Sequence, residues 1–368
     1  MLIKTFTLNG KNMSTKRVRV DDVRRFMKSC LTCVGAPSNH AQQLTDVLVA
    51  ADVRGHFSHG LNRLEMYVRD IQNKTTDPSA EPTIVKETSS TALVNGNNGL
   101  GPVVGNFCMK LAINKASDAG IGWVVTKGSN HYGMAGWYSM QALEHGMMGF
   151  SFTNTSPLMS PTRSKGAALG TNPISFTAPA MNGDSFVLDM STTTSSLGKI
   201  EYAKRKQEPI PNVWAQDDEG KPTTDPEVAF KTANLLPLGG REEHGGYKGY
   251  GLALMVEALC GISAGSHYGY KIRAWMGAGS VANLGQCFGA INPDCFETGF
   301  KERMSDMMSF LRNMPKADVN KHVLIPGDPE RHSEQETVKN DGILYSTNQL
   351  LHYELFAKEL GVEQLKSY

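Results

Sequence analysis

Two histidines of this chain stand where an imidazole can do chemistry. His59 lies between Ser58 and Gly60, with Arg63 one helical turn further on. A helix amino terminus lowers the pKa of a nearby imidazole, and a glycine leaves room for a ligand. Arg63 offers the planar fork that takes a carboxylate bidentately, which a lysine cannot do. A proton donor beside a carboxylate clamp is the minimum equipment for reducing a 2-oxo acid. The same residues also read as a capping serine before a solvated loop histidine. His131, in Ser129-Asn130-His131-Tyr132-Gly133, repeats the arrangement after a strand that closes at Thr126.

Glycine-rich segments are the next candidates. Gly239 to Gly251 holds six glycines with Lys248 among them, just before a helix. Such backbone approaches a ligand closely, and helix N–H groups with a lysine suit a phosphate. Gly96-Asn-Asn-Gly99-Leu-Gly101 follows a strand and precedes a helix, but its glycine spacing misses the Rossmann fingerprint. The acid expected at the end of a second strand is also missing, since Asp118 lies inside the helix. No Gly-Lys pair is followed by Ser or Thr, so there is no P-loop. Cys30-Leu-Thr-Cys33 has zinc spacing without a second pair, and Cys30 belongs to an apolar stripe. No metal site is expected.

The elements that must carry these residues follow from periodicity. Val23, Phe26, Met27, Cys30, Leu31 and Val34 mark one face of a first helix, stopped by Gly35 and Pro37. Ser38 suits the N-cap of a second helix with Leu44, Val47, Leu48 and Ala51 inside and Gly55 closing it. Asn62 and Glu65 have capping-box spacing for a third, which leaves His56 to Gly60 as a short connection. Strands are expected at 91–94, 122–126, 148–152, 174–177, 186–189 and 288–292. Helices are expected near 103–119, 134–146, 249–264, 300–313 and 346–360. The proline-bearing stretch around Pro209, Pro211, Pro222 and Pro226 reads as a long loop. Alternation of this kind argues for an α/β core.

Composition sets the outer limits. The 368 residues, 40% hydrophobic and 20% charged, suffice for a large core and exclude a disordered chain. A net charge of +1 gives no field of one sign, which argues against a nucleic-acid or anionic-membrane binder. Six cysteines make no disulfide scaffold. The stretch from Tyr250 to Ala264 is too short to span a bilayer. Met1 to Met13, with Lys4 and Lys11 and no acid before Asp21, carries the charge of a mitochondrial presequence but no secretory signal; Met13 is an alternative start. The default expectation is a reduced, soluble, cytoplasmic protein.

Several short motifs occur in one order: Ser58-His59-Gly60 with Arg63, Ser129 to Gly133, Gly170-Thr171-Asn172-Pro173 and Leu188-Asp189-Met190-Ser191-Thr192. Gly198-Lys199, Leu236-Pro237-Leu238-Gly239-Gly240, Gly245 to Gly251 and Pro326-Gly327-Asp328 continue the series. Together, over at least residues 20 to 345, they resemble the type-2 malate/L-lactate dehydrogenase family. The resemblance implies a non-Rossmann α/β fold with N-terminal helices and a mixed-sheet cofactor domain. It also implies a homodimer and NAD(P)-dependent hydride transfer on a small 2-oxo or 2-hydroxy acid, malate/oxaloacetate first. NAD is the expected cofactor, with NADP as the alternative.

By the same resemblance His59, protonated near neutral pH and flanked by Ser58, or else His131, donates the proton. Arg63 and Thr171 meet the substrate. Cofactor contacts map to His131, Tyr132, Gly133, Asp189, Met190, Ser191, Lys199, Gly246, Lys248, Gly327, Asp328 and Glu330. The piperideine-2-carboxylate reductases carry an aspartate where this chain has Lys199, which favours a hydroxy acid over a cyclic imine. Ureidoglycolate- and lactate-type dehydrogenation are further alternatives. The expected organisation is a flexible arm at 1–18, a helical part at 19–85, a cofactor-binding part at 86–285 and a segment at 286–368 that packs back on the N-terminal part.

Overall fold

The computed structural model describes residues 15–275, 277 and 279–368. The presequence-like segment and most of the expected arm lie outside them. Residues 15–18 are not an arm but strand β1 (Thr15–Val18), followed by α1 (Val20–Cys33), α2 (Ser38–Val53) and α3 (Leu64–Gln72). Then come β2 (Thr83–Glu87), β3 (Thr91–Asn95), α4 (Gly101–Ala119), β4 (Ile121–Ser129) and α5 (Gly136–Gln141). The strands β5 (Met148–Thr153), β6 (Ile174–Pro179) and β7 (Ser185–Met190) follow. Next are α6 (Leu197–Lys206), β8 (Ala215–Gln216), β9 (Pro222–Thr223), α7 (Pro226–Thr232), β10 (Asn234–Leu235) and α8 (Gly246–Glu257). The chain ends with β11 (Leu284–Ile291), α9 (Phe300–Arg312), α10 (Asp328–Lys339), β12 (Ile343–Ser346) and α11 (Thr347–Leu360).

Two compact units result. One takes in the described residues up to Lys74 together with Phe310–Tyr368; the other is Thr75–Ser309. The boundary expected at 285/286 falls inside β11, the middle strand of a sheet, and is corrected: the chain rejoins the first unit only at Phe310.

In the first unit α1 buries Val23, Phe26, Met27, Cys30 and Leu31, the stripe expected from periodicity. It packs on α2, whose Leu44, Val47, Leu48 and Ala51 are fully buried. Gly55 follows α2 with φ +82°, the left-handed conformation that glycine adopts without penalty. Two expected caps are absent. Pro37, not Ser38, precedes α2, and the Asn62 side chain donates to the Phe57 carbonyl instead of capping α3. Short 3-10 turns at Phe57–His59 and Leu61–Arg63 occupy the connection. β1 and β12 pair antiparallel, Val18 opposite Ile343.

The second unit is built on a seven-stranded mixed sheet of order β2-β3-β4-β11-β5-β6-β7, in which β3 and β4 alone are parallel neighbours. This is not the doubly wound parallel sheet of a Rossmann domain. β11 is buried along almost its whole length because it has sheet on both sides and α4 across one face. The main core joins Val94, Val104, Cys108, Val124, Tyr138 and Phe288. The proline-bearing stretch is not a long loop; it folds into α6, α7 and the small sheet β10-β8-β9 around Ile200, Ala215 and Leu235. Among the described residues no helix is long and apolar enough to cross a membrane.

Contact between α4 and β4 depends on Gly122, where a Cβ would lie 1.9 Å from the Ala112 carbonyl oxygen. Backbone on both sides leaves nothing to rotate away. Gly122→Ala is therefore expected to cost about 1–3 kcal/mol, the range for overpacking. A thermal-unfolding midpoint equal to wild type would contradict this.

Candidate active site

In the first unit the candidate residues His59 and Arg63 sit on the turn between α2 and α3. Ser58 Oγ and His59 Nδ1 are 2.9 Å apart. The turn is tied by backbone bonds from His59 N–H to the His56 carbonyl and from Arg63 N–H to the Gly60 carbonyl. Burial, joined by the charges of Arg63 and His56, depresses the His59 imidazole to about 3. The imidazolium expected near neutral pH is thus corrected: these surroundings favour the neutral ring. Two electrostatic costs that a loop histidine in water would escape, desolvation and a neighbouring guanidinium, combine here.

Helix α10 lies against the same turn. Ser333 Oγ donates to the Val53 carbonyl, and Glu330 Oε1 stands 3.9 Å from His56 Nε2. Gly327, at φ +103°, opens α10. Burial opposes ionisation of Asp328, but Arg312, the Ile325 N–H and Arg331 outweigh it and bring the carboxyl to about 2. Both of its oxygens are engaged by those groups. Asp328 thus anchors the start of α10 and has little acceptor capacity left for a ligand.

Motifs of the second unit are stitched together by backbone. Gly136 N–H donates to Asp189 Oδ2 at 2.7 Å, which fixes the turn after His131 to the end of β7. Gly133 N–H points at His131 Nδ1, 3.3 Å away, so the neutral ring carries its proton on Nε2. The Trp275 ring lies 5.9 Å from the His131 ring. Tyr132 is a core residue instead: it is buried, stacks on Tyr138, and its hydroxyl meets Ser151. Only its backbone can face a ligand.

A second chain of bonds starts at Thr171. Its N–H donates to Thr155 Oγ1, and its carbonyl accepts from Thr192 N–H and Oγ1. The Thr192 carbonyl accepts from Leu238 N–H. A Cβ at Gly249 would lie 2.3 Å from that same Leu238 nitrogen, and one at Gly246 would lie 1.9 Å from the Gly240 carbonyl. The segment Gly239 to Gly251 is therefore close-packed backbone, not a loose surface loop. Thr171, the residues after Asp189 and the start of α8 become neighbours.

Lys248 is exposed in the first turn of α8, which holds no acidic residue. Ser191 Oγ is turned to the Thr193 carbonyl, and Met190 is half-buried. Lys199, in the first turn of α6, has its ammonium pKa lowered by burial of its side chain. These donors and this backbone suit an anionic, phosphate-bearing group at α8.

Sequence reasoning passed over several residues. Glu257 is buried, and its oxygens accept from the side-chain amides of Asn172 and Asn154. Asp52, also buried, sits beneath the His59 turn. Asp52 falls four residues after Leu48 on the inner face of α2, and an acid at an apolar position was the available signal. Cys30 is buried and its thiol is pushed up to about 12, so the C-x-x-C pair is structural. Among the described residues no group of three or more His, Cys, Asp or Glu is placed to hold a metal.

Comparison with known proteins gives the class. A model of the family described as malate/L-lactate dehydrogenase matches residues 18–351. The chain is 40% identical over 352 residues to malate dehydrogenase of Pyrococcus horikoshii, covering 95% of this chain and 97% of that one. It is 36% identical over 356 residues to L-sulfolactate dehydrogenase of Methanocaldococcus jannaschii, covering 96% and 97%. The crystal structure of malate dehydrogenase from Entamoeba histolytica superimposes with a TM-score of 0.89 at 32% identity, covering 95% and 99%. The protein is thus a dehydrogenase of small 2-hydroxy acids that works with a nicotinamide cofactor. The chain belongs to the malate/L-lactate dehydrogenase family.

The depressed His59 value carries a sign. The unfolded chain binds the proton from about pH 6.5 downward, whereas the folded chain resists it to about 3. The contribution of His59 to stability is complete above the unfolded value and is lost as the pH falls through that window. Between about pH 7 and pH 4 the melting temperature of wild type should drop more steeply than that of His59→Asn. Parallel curves would show that the imidazole is not held neutral.

Proposed function

We propose that the protein interconverts malate and oxaloacetate, with His59 as the proton-transfer group and Arg63 as the carboxylate clamp. What supports this reading is His59 Nδ1 held 2.9 Å from Ser58 Oγ, beside a guanidinium that, with burial, keeps the imidazole pKa low. A cation beside an uncharged acceptor suits an anion that bears a hydroxyl. In oxidation the hydroxyl proton passes to His59 at Nε2, since Nδ1 is engaged by Ser58, while the C–H bond at C2 breaks. When bound, the nicotinamide supplies the chemistry of accepting that hydride or returning it. Arg63 takes the carboxylate bidentately and so fixes which face of C2 is presented. Pairing with the carboxylate also offsets the guanidinium charge, which raises the His59 pKa and lets it hold the proton needed for reduction.

The cofactor is assigned to Asp189 to Ser191, Gly246, Lys248, Lys199, the backbone of His131 to Gly133, and Gly327 to Glu330, where Asp328 offers only its backbone. The acid-free start of α8 with Lys248 supports this for the pyrophosphate. NAD is the cofactor we propose over NADP, and Thr171 joins Arg63 in contacting the substrate. A homodimer is proposed as well, supported by exposed Leu254, Met255 and Ile262 on α8 and the π-helical segment Ala258–Ile262 that continues it. The protein is proposed to be cytoplasmic.

The test is a panel of oxaloacetate, pyruvate, 3-sulfopyruvate and piperideine-2-carboxylate, each with NADH and then NADPH. Oxaloacetate with NADH should give the highest kcat/KM; preference for the cyclic imine would refute the hydroxy-acid reading. His59→Asn should lower kcat by about a hundredfold or more, with NADH affinity kept. Normal turnover would transfer the role to His131. Arg63→Lys should raise KM for the oxo acid much more than it lowers kcat, because the planar fork is lost; an unchanged KM would reject the clamp.

A further inference from the structure

The turn that carries His59 and Arg63 is held from below by one carboxyl group. Asp52 Oδ2 accepts the Leu61 N–H at 2.8 Å and the Tyr345 hydroxyl at 2.7 Å. Its Oδ1 is buried and has no hydrogen-bond partner among the described residues. That oxygen lies against Gly60, where a Cβ would be 1.9 Å from it, so a side chain at position 60 and a carboxyl at position 52 exclude each other. The other end of the Leu61 peptide is held too, since the Tyr353 hydroxyl donates to the Leu61 carbonyl. The backbone of Leu61 is therefore gripped at its N–H by α2 and at its C=O by α11, while β12 supplies the tyrosine that orients the carboxyl.

We propose that Asp52, oriented by Tyr345, is a positioning residue that sets His59 relative to Arg63 through the Leu61 peptide. It touches neither substrate nor cofactor. The inference rests on the reading of His59 and Arg63 given above and adds what holds them in register. A buried oxygen without a partner is costly, and it is kept where the group is needed for its other contacts. Burial pushes the carboxyl up to about 7, against the lowering effect of Tyr345 and the Leu61 N–H. Asparagine therefore resembles a form that Asp52 itself adopts, and it keeps an oxygen for the Leu61 N–H. Leucine has the volume without the acceptor.

The experiment compares Asp52→Leu, Asp52→Asn, Tyr345→Phe and His59→Asn in the full-length enzyme. Readouts are kcat and KM for oxaloacetate, NADH affinity by fluorescence, and the melting temperature. Asp52→Leu should lose about ten- to hundredfold in kcat/KM, the scale of a misplaced catalytic group, with kcat falling and KM rising together. NADH affinity should stay at the wild-type value, and Asp52→Asn should restore most of the activity. Tyr345→Phe should move kcat and KM in the same direction by less.

Wild-type kinetics in Asp52→Leu, alongside a crippled His59→Asn, would overturn the positioning role and leave the assignment of His59 intact. Wild-type kinetics in His59→Asn would overturn that assignment by itself. If Asp52→Leu does not fold, Tyr345→Phe decides, and unchanged kcat and KM there would overturn the proposal. Equal losses in the Leu and Asn variants, with NADH affinity falling in step, would reduce Asp52 to a folding residue and likewise overturn it.

Discussion

A carboxylate oxygen accepting one backbone N–H recurs beneath both histidine-bearing turns. Asp52 takes the Leu61 N–H under His59, and Asp189 takes the Gly136 N–H after His131. A turn has few backbone bonds of its own, and a buried N–H without an acceptor costs free energy comparable to a lost hydrogen bond. A carboxylate from a neighbouring regular element removes that cost and ties the turn to a rigid body. The ring on the turn then inherits the position of a helix or a strand. Glu257 serves the Thr171 loop similarly, through the amide of Asn172. Each site segment is thereby referred to a core element, α2, β7 or α8, and not to its own flexible ends.

Glycines complete the arrangement by letting backbone meet backbone. Gly101 approaches the His131 carbonyl so closely that a Cβ would lie 2.1 Å from the oxygen, and Gly246 and Gly249 do the same against Gly240 and Leu238. The resulting contacts join peptide to peptide, with no rotatable side chain between. That explains why the segment from Gly239 to Gly251 is ordered despite its composition. Gly239, Gly240 and Gly245 all adopt positive φ, and β-carbon-bearing residues would be strained at each.

Much of this was legible in the residues themselves. The apolar stripe of α1, the inner face of α2 and five of the short strands flanking the glycine turns follow from period and punctuation. So does the failed Rossmann spacing, which the mixed sheet order explains: β11 inserts between β4 and β5 after more than a hundred residues of intervening chain. Such long-range insertion leaves no local trace, and the domain boundary was misplaced for that reason. β2 escaped notice because all five of its residues are exposed, so no burial alternation marks it. The proline-bearing stretch misled in another way. Pro226 sits in the first turn of α7, where a missing N–H costs nothing, and Asp225 caps that helix. The residue types around His59 announced chemistry, but the tyrosines that hold its turn come from β12 and α11, nearly three hundred residues later.

The charge state of His59 shows how far residue type can be trusted. Histidine next to a helix start, with an arginine one turn on, suggests a donor, and the local pattern is silent about solvent. Burial and the guanidinium both act against the imidazolium, so the resting ring is an acceptor. The two causes respond differently to a ligand. Desolvation persists or deepens when a substrate fills the space, whereas the Arg63 charge is offset by an incoming carboxylate. An uncharged analogue would leave Arg63 repelling the proton and keep the ring neutral. On the proposed assignment, an anionic oxo acid held by Arg63 would make the His59 ring more basic on arrival. On that proposed reading, selection for a carboxylate and activation of the imidazole are one electrostatic event; a lysine at position 63 would keep the charge but lose the fork that fixes the carboxylate.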